Sequence, residues 1–134
     1  MKYLLDSHIL IWALYSDEKL SIAARDIIND FKNEIYYSVV SVWEIGLKHS
    51  KKPEMMPVSS DDLVKYCESC GMFCLPIVKE HALTLQSLHL QPDVPPHSDP
   101  FDRMLIAQAK SEEMILLNHD HLLKNYSESC VETV

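Results

Sequence analysis

Short apolar runs alternate with helical stretches from one end of this chain to the other, and that alternation leaves few folds open. When a helix follows each strand, the chain returns to the sheet by a crossover, so the strands run parallel and helices cover both faces. Tyr3–Leu5 reads as a strand ending at Asp6, followed by a helix over Ile9–Leu14. Ser21 is an N-cap for a second helix, Ile22–Phe31. Ile35–Tyr37 is β-branched and aromatic, hence a strand, and Val39–His49 is helical until Lys51-Lys52-Pro53 stops it. Ser60 can cap a helix through Cys70, with Gly71 as its C′ residue. Phe73–Ile77 follows as a strand, Lys79–Leu88 as a helix, and Gln91–Pro100, with four prolines, as a loop. Phe101–Lys110 is a helix, Met114–Leu117 a strand, His121–Tyr126 a short helix and Cys130–Val134 an edge strand. The expected architecture is α/β, with three layers (α/β/α) around a central, mostly parallel sheet of four to five strands. Residues 1–134 are expected to form a single domain. In such sheets, sites form beyond the carboxyl ends of the strands.

Composition narrows the chemistry. The 134 residues are 47% apolar and 24% charged, which suits one soluble domain with a real core. Gly46 and Gly71 are the only glycines, so neither a P-loop nor a dinucleotide fingerprint can be built. Twenty acids against twelve bases give a net charge of −8, and a chain this acidic does not grip nucleic acid by bulk charge. Nucleic-acid chemistry would need bound cations or a local basic patch. Asp6 stands where a secretory leader needs apolar residues, and no apolar run approaches the roughly 18 residues of a membrane span. Cys67, Cys70, Cys74 and Cys130 are too few and too clustered for a disulfide scaffold. A reduced, cytoplasmic protein with no membrane partner is the expectation.

Four carboxylates stand at places that matter in a parallel sheet. Asp6 ends the first strand, either as an N-cap or as an acid at the rim of a site. Glu44 lies three residues after Ser41, which matches a capping box. A helix starting at Ser38 instead places Glu44 on one face with Val40, Trp43 and Leu47. A charge on that stripe is costly unless paired or bound to a cation, and the stripe is the favoured reading. Asp99 before Pro100 is a strong helix start and is adequately explained as structure. Asp102 is not, because Leu105, Ile106 and Ala109 follow it at helical spacing and align it with the core face. Asp120 follows the Met114–Leu117 strand, as a cap for the next helix or as a fourth acid at a strand end. Two carboxylates about 5 Å apart repel by roughly 3 kcal/mol at an effective dielectric near 20. A cluster of them raises its own pKa values or is relieved by cations. All-oxygen donors suit Mg2+ or Mn2+ rather than zinc.

At these residues the chain resembles a PIN domain, and within that family the toxin ribonucleases of type II toxin–antitoxin pairs, the VapC group. The matching pieces are Tyr3-Leu-Leu-Asp-Ser-His8 with Trp12, and Ser41-Val-Trp-Glu-Ile45 with Lys48. They continue with His97-Ser-Asp-Pro-Phe-Asp-Arg-Met-Leu-Ile-Ala-Gln-Ala109 and Leu117-Asn-His-Asp120, and span nearly the whole chain. The resemblance implies a PIN-like fold and a Mg2+- or Mn2+-dependent endoribonuclease. Its catalytic, metal-binding cluster carries over to Asp6, Glu44, Asp102 and Asp120, with Asp99 accessory. It also implies a cognate antitoxin whose tail occupies the site, and a homodimer. Asn118 departs from the group, which usually has Thr or Ser there; Asn can still hydrogen-bond a carboxylate, water or phosphate, so it stays an accessory residue.

Other features have open readings. Arg103, beside Asp102, is a contact for a phosphate or an antitoxin carboxylate, or a surface salt bridge. Lys48, His49, Lys51 and Lys52 form a compact basic patch, for guiding RNA or simply as a solvated helix end. His119-Asp120-His121 hints at a metal motif, but alternate residues around a turn rarely converge on one ion. His8 is placed to line the site. Cys67, Cys70 and Cys74 are better read as small buried thiols than as zinc ligands. The favoured function is metal-dependent hydrolysis of RNA phosphodiesters with no protein nucleophile. The alternative is a catalytically silent PIN-like module that binds a partner protein. An aspartyl-phosphate enzyme is disfavoured, since Asp6 lacks an Asp-x-Asp partner.

Overall fold

The computed structural model describes residues 1–95 and 99–134, with the side chain of His121 left out. Among the described residues, β1 (Lys2–Leu5), β2 (Glu34–Ser38), β3 (Phe73–Leu75), β4 (Ile115–Asn118) and β5 (Val131–Thr133) form one sheet in the order β3-β2-β1-β4-β5. Each neighbouring pair is parallel, with Tyr3 opposite Ile35 on one side and Ile115 on the other. The helices are α1 (Ser7–Tyr15), α2 (Ile22–Asn29), α3 (Val39–Lys51), α4 (Ser60–Ser69), α5 (Lys79–Thr84) and α6 (Pro100–Ser111). Short 3-10 turns occupy Asp17–Lys19, Leu85–Ser87 and His121–Asn125. None of the described helices is long and apolar enough to cross a membrane.

The alternation of side chains along each strand divides the core in two. Tyr3, Leu5, Ile35, Tyr37 and Leu117 face one way, onto Ile9 and Leu10 of α1, Ala24 of α2, and Leu63 and Cys67 of α4. Leu4 and Leu116 face the other way, onto Leu105, Ile106 and Ala109 of α6 and onto Leu123 and Tyr126. Both faces of β1 and β4 are covered, which is why their sequences read as unbroken apolar runs. Each fully buried Leu or Ile contributes about 1.5–3 kcal/mol relative to exposure.

This topology places the site. From β1 the chain steps to β2 and β3 on one side, then returns through α5 and α6 to β4 on the other. The strand order therefore reverses between β1 and β4, and the crevice beyond their carboxyl ends is the natural binding position of an open α/β sheet. A buried polar cluster fixes the second face. Ser38 Oγ donates to Gln108 Oε1, and Gln108 Nε2 donates to the Pro76 carbonyl (3.3 Å). His81 accepts the Val78 N–H at Nδ1 (3.2 Å) and meets Glu112 through Nε2 (3.2 Å).

Several local expectations are corrected. The cap of α4 is Ser59, whose hydroxyl accepts the Asp62 N–H, while Ser60 turns to the Val42 carbonyl. Gly46 makes room there, because a Cβ would collide with the Ser60 hydroxyl. Gly71 does take a left-handed φ of 78° after the Cys70 cap. β3 ends at Leu75 because Pro76 has no N–H for the ladder. The helix expected over Lys79–Leu88 tightens to 3-10 geometry after Thr84. The buried face of α3 is Val40, Ser41, Glu44 and Ile45, whereas Trp43 and Leu47 are 54% and 39% exposed. Trp43 packs edge-on against Phe101 of α6 instead, with centroids 4.8 Å apart. Cys67 is buried as expected, but Cys70 and Cys74 are exposed.

Candidate active site

The two readings of Asp6 turn out to be compatible. Its Oδ1 accepts the Ile9 N–H (2.8 Å) and so caps α1, and its own N–H continues the β1–β4 ladder to the Leu117 carbonyl (3.0 Å). The same side chain is only 3% exposed. Burial pushes its pKa up to about 6, with Glu44 adding to the rise, while the Ile9 and His119 backbone N–H groups and His8 oppose it.

Glu44 reaches this place because α3 starts at Ser38, whose Oγ accepts the Val40 N–H (2.9 Å). Ser41 is therefore inside the helix and not its cap. One carboxylate oxygen of Glu44 accepts the Ser7 hydroxyl (2.7 Å), and the other accepts Lys48 Nζ (2.7 Å). Ser7 also sits 3.0 Å from the Ser41 hydroxyl. Ser7 and Ser41 are the partners of the acids that sequence alone leaves unassigned, Ser7 standing only in the Tyr3–His8 motif and Ser41 only as a capping-box candidate. Their signal was a small hydroxyl beside each buried acid, on two different elements. Ser7→Ala is expected to lower the melting temperature, because a buried carboxylate loses a donor worth about 1–3 kcal/mol. Divalent-cation affinity is expected to fall roughly tenfold or more through the loosened Glu44. Thermal unfolding and Mn2+ titration calorimetry check the two effects.

Asp102 is half-buried in the first turn of α6, where Asp99 caps the helix by accepting the Phe101 and Asp102 N–H groups (2.9 and 3.0 Å). Pro100 takes the first helical position. The Asp102 pKa rises to about 7, first through burial and then through the negative charges of Asp99, Glu44, Asp6 and Asp120, in that order. The structure thus brings four acids from four separate segments within electrostatic reach of a fifth. His97 and Ser98, which open this segment of the motif, lie outside the described residues.

Asp120 is half-buried at the start of the 3-10 turn, where it accepts the Leu122 N–H (2.9 Å). Asn118 is fully buried at the end of β4. Its amide donates to the Glu132 carbonyl (3.0 Å), and its oxygen accepts the Asp120 N–H (3.2 Å) and the Thr133 hydroxyl (3.3 Å). That side chain fixes the turn carrying Asp120 and ties it to β5. Arg103 donates to the Tyr126 hydroxyl (3.1 Å) and lies 5.9 Å over its ring. Of the basic patch, Lys48 is paired with Glu44, while Lys51 and Lys52 are exposed.

Among the described residues, no three His, Cys, Asp or Glu side chains stand ready to grip one ion between them. The donor set still fits a hard divalent cation. It is all oxygen, its acids share one neighbourhood, and two of them have raised pKa values that a cation would lower. Mg2+ keeps several waters and is commonly held by one or two carboxylates, so three direct protein ligands are not required.

The PIN domain family model matches residues 3–128, and the chain belongs to that family. Among solved structures it is similar to VapBC2 from Rickettsia felis bound to a DNA fragment from its promoter. The TM-score is 0.70 at 14% identity, covering 100% of this chain and 99% of that one. DNA-bound VapBC from Salmonella typhimurium is similar at TM-score 0.66 and 15% identity, over 99% and 98% of the two chains. A domain of a functionally unknown protein from Methanocaldococcus jannaschii matches at TM-score 0.56 and 15% identity, over 99% and 90%. These likenesses are of fold. A comparison with curated protein sequences returns no match.

Proposed function

We propose that this chain is a Mg2+- or Mn2+-dependent endoribonuclease and the toxin of a type II toxin–antitoxin pair. The observation that carries the reading is the placement of the half-buried Asp102 within electrostatic reach of Asp99, Glu44, Asp6 and Asp120. A fold gains nothing by gathering like charges in one place, so such a cluster is a functional-site signature. Asp6, Glu44 and Asp102 would hold the cation directly or through water, and Asp120 would complete the site. A bound divalent ion there lowers the pKa of a water and offsets the charge of the scissile phosphodiester.

The chain's own residues hold that arrangement in place. Lys48 keeps one oxygen of Glu44 in an ion pair, and Ser7 fixes the other. The caps on α1 and on the 3-10 turn hold Asp6 and Asp120 in place through the Ile9 and Leu122 N–H groups. Membership of the PIN family supports nuclease chemistry, and the VapBC assemblies among the similar structures support a cognate antitoxin as partner. A homodimer acting in the cytoplasm completes the proposal.

Purified protein incubated with single-stranded RNA is expected to cut it internally with Mn2+ or Mg2+ and to leave it intact in EDTA. RNA that survives Mn2+ would overturn the nuclease reading and leave a silent module that binds its partner through the acidic pocket. Undiminished cutting in EDTA would remove the cation from the mechanism.

A further inference from the structure

Beside the acids lies a row of rings that the proposed chemistry does not use. His8 and Trp12 stand four positions apart on α1, so they share one face of the helix. Their ring centroids are 6.1 Å apart. Trp12 in turn meets His119 edge-on, with centroids 5.0 Å apart. His119 stands between β4 and Asp120, and its backbone N–H acts on the Asp6 carboxylate. The three rings and Asp120 line one open cleft of about 250 Å³. The row therefore begins at the acidic cluster and leads away from it along α1.

We propose that Trp12, flanked by the inclined rings of His8 and His119, forms a stacking platform for a nucleobase of the RNA substrate next to the scissile phosphate. The inference rests on the endoribonuclease reading and adds to it how the substrate is held. Among the described residues that line the cleft none is Lys or Arg, and the whole chain carries a net charge of −8. No Lys or Arg side chain is there to draw a phosphate. A base is uncharged and flat, and a ring face binds it without any charge matching. The cleft is smaller than the roughly 300–1,000 Å³ of pockets that enclose a whole small molecule, which suits a flat group resting on a ring. His8 and His119 are exposed and Trp12 is half-buried. Trp12 is thus anchored in the core while part of its ring is left for contact.

The test uses Trp12 as its own reporter. Trp43 is the other tryptophan, so Trp43→Phe leaves Trp12 alone, and Asp102→Asn in the same chain prevents cleavage during titration. With Mg2+ present, a short single-stranded RNA is expected to quench Trp12 fluorescence, and the same backbone carrying abasic riboses is expected not to. Measured by anisotropy of labelled RNA, His8→Ala and Trp12→Leu weaken binding about five- to hundredfold, while Trp12→Phe stays near the parent. In the cleaving protein the loss falls on KM rather than on kcat. His8 is exposed, so His8→Ala remains decisive if Trp12→Leu fails to fold. Equal quenching by the abasic strand overturns the platform. RNA binding unchanged in His8→Ala and Trp12→Leu also overturns it. Quenching without any cleavage by the parent sinks the nuclease reading but keeps the platform, and cleavage without quenching does the reverse.

Discussion

Replacing Asp102 with Asn is expected to abolish RNA cleavage and, in the same protein, to raise the melting temperature. The first effect follows from removing a charge at the centre of the acidic cluster, and a loss of roughly a thousandfold or more is expected. The second follows from linkage. The folded-state pKa of Asp102 is about 7, against an ordinary value of 3.8. Between those two values the folded chain holds a proton that the unfolded chain releases. Stability from this group therefore falls as pH rises, and the full cost is present above pH 7. Asn cannot ionise, so the variant escapes that cost. Asp102 is only half-buried, so solvent screening reduces the gain to on the order of 1 kcal/mol. That corresponds to roughly 3–5 °C at this chain length. Thermal unfolding at pH 7.5 beside a cleavage assay reads both effects. A variant that still cuts RNA at the parent rate would remove Asp102 from the site. A variant that melts earlier would mean the carboxylate is stabilising in the free protein, against the charge argument.

Affinity for Mn2+ is expected to fall about a hundredfold between pH 7.5 and pH 5.5, because Asp6 and Asp102 must both be ionised to serve as ligands. Their pKa values of about 6 and about 7 both fall inside that window. At pH 7.5 the cation meets a mostly ionised pair; at pH 5.5 both carboxyls are largely protonated. Cation binding near pH 6.5 should accordingly release protons. Titration calorimetry in two buffers of different ionisation enthalpy measures the affinity and the proton count together. The acid limb of the cleavage profile should follow the same curve. A flat affinity across this range would show that neither carboxyl contributes to the ion site.

The strands and helices were legible because burial imposes a period. Leu4 against Leu5, and Leu116 against Leu117, supply the two faces of a doubly covered sheet. Asp99-Pro100 marks a helix start by chemistry alone. Element ends were less legible, since Ser59 and Ser60 are both competent caps and the choice depends on what Ser60 meets on α3. Half of the stripe expected on α3 is exposed for a similar reason. Trp43 and Leu47 are apolar, but the sheet and α1 lie on the side of Ser41, Glu44 and Ile45. The four acids could be picked out singly by position, but their partners could not. Ser7 lies 37 positions from Glu44, and Asn118 reaches forward to Glu132 and Thr133. Such contacts are set by the sheet order, which periodicity does not encode.

That sheet order also has a consequence in time. β1 is flanked by β2 and by β4, and Tyr3 is opposite Ile115, 112 positions further on. A chain still being translated therefore owns Asp6 and Glu44 well before Asp102 and Asp120 exist. Its first strand must wait with one edge open until β4 arrives to zip against it. The acidic cluster is consequently completed only by the last part of the chain, in a single late docking of β4 against β1.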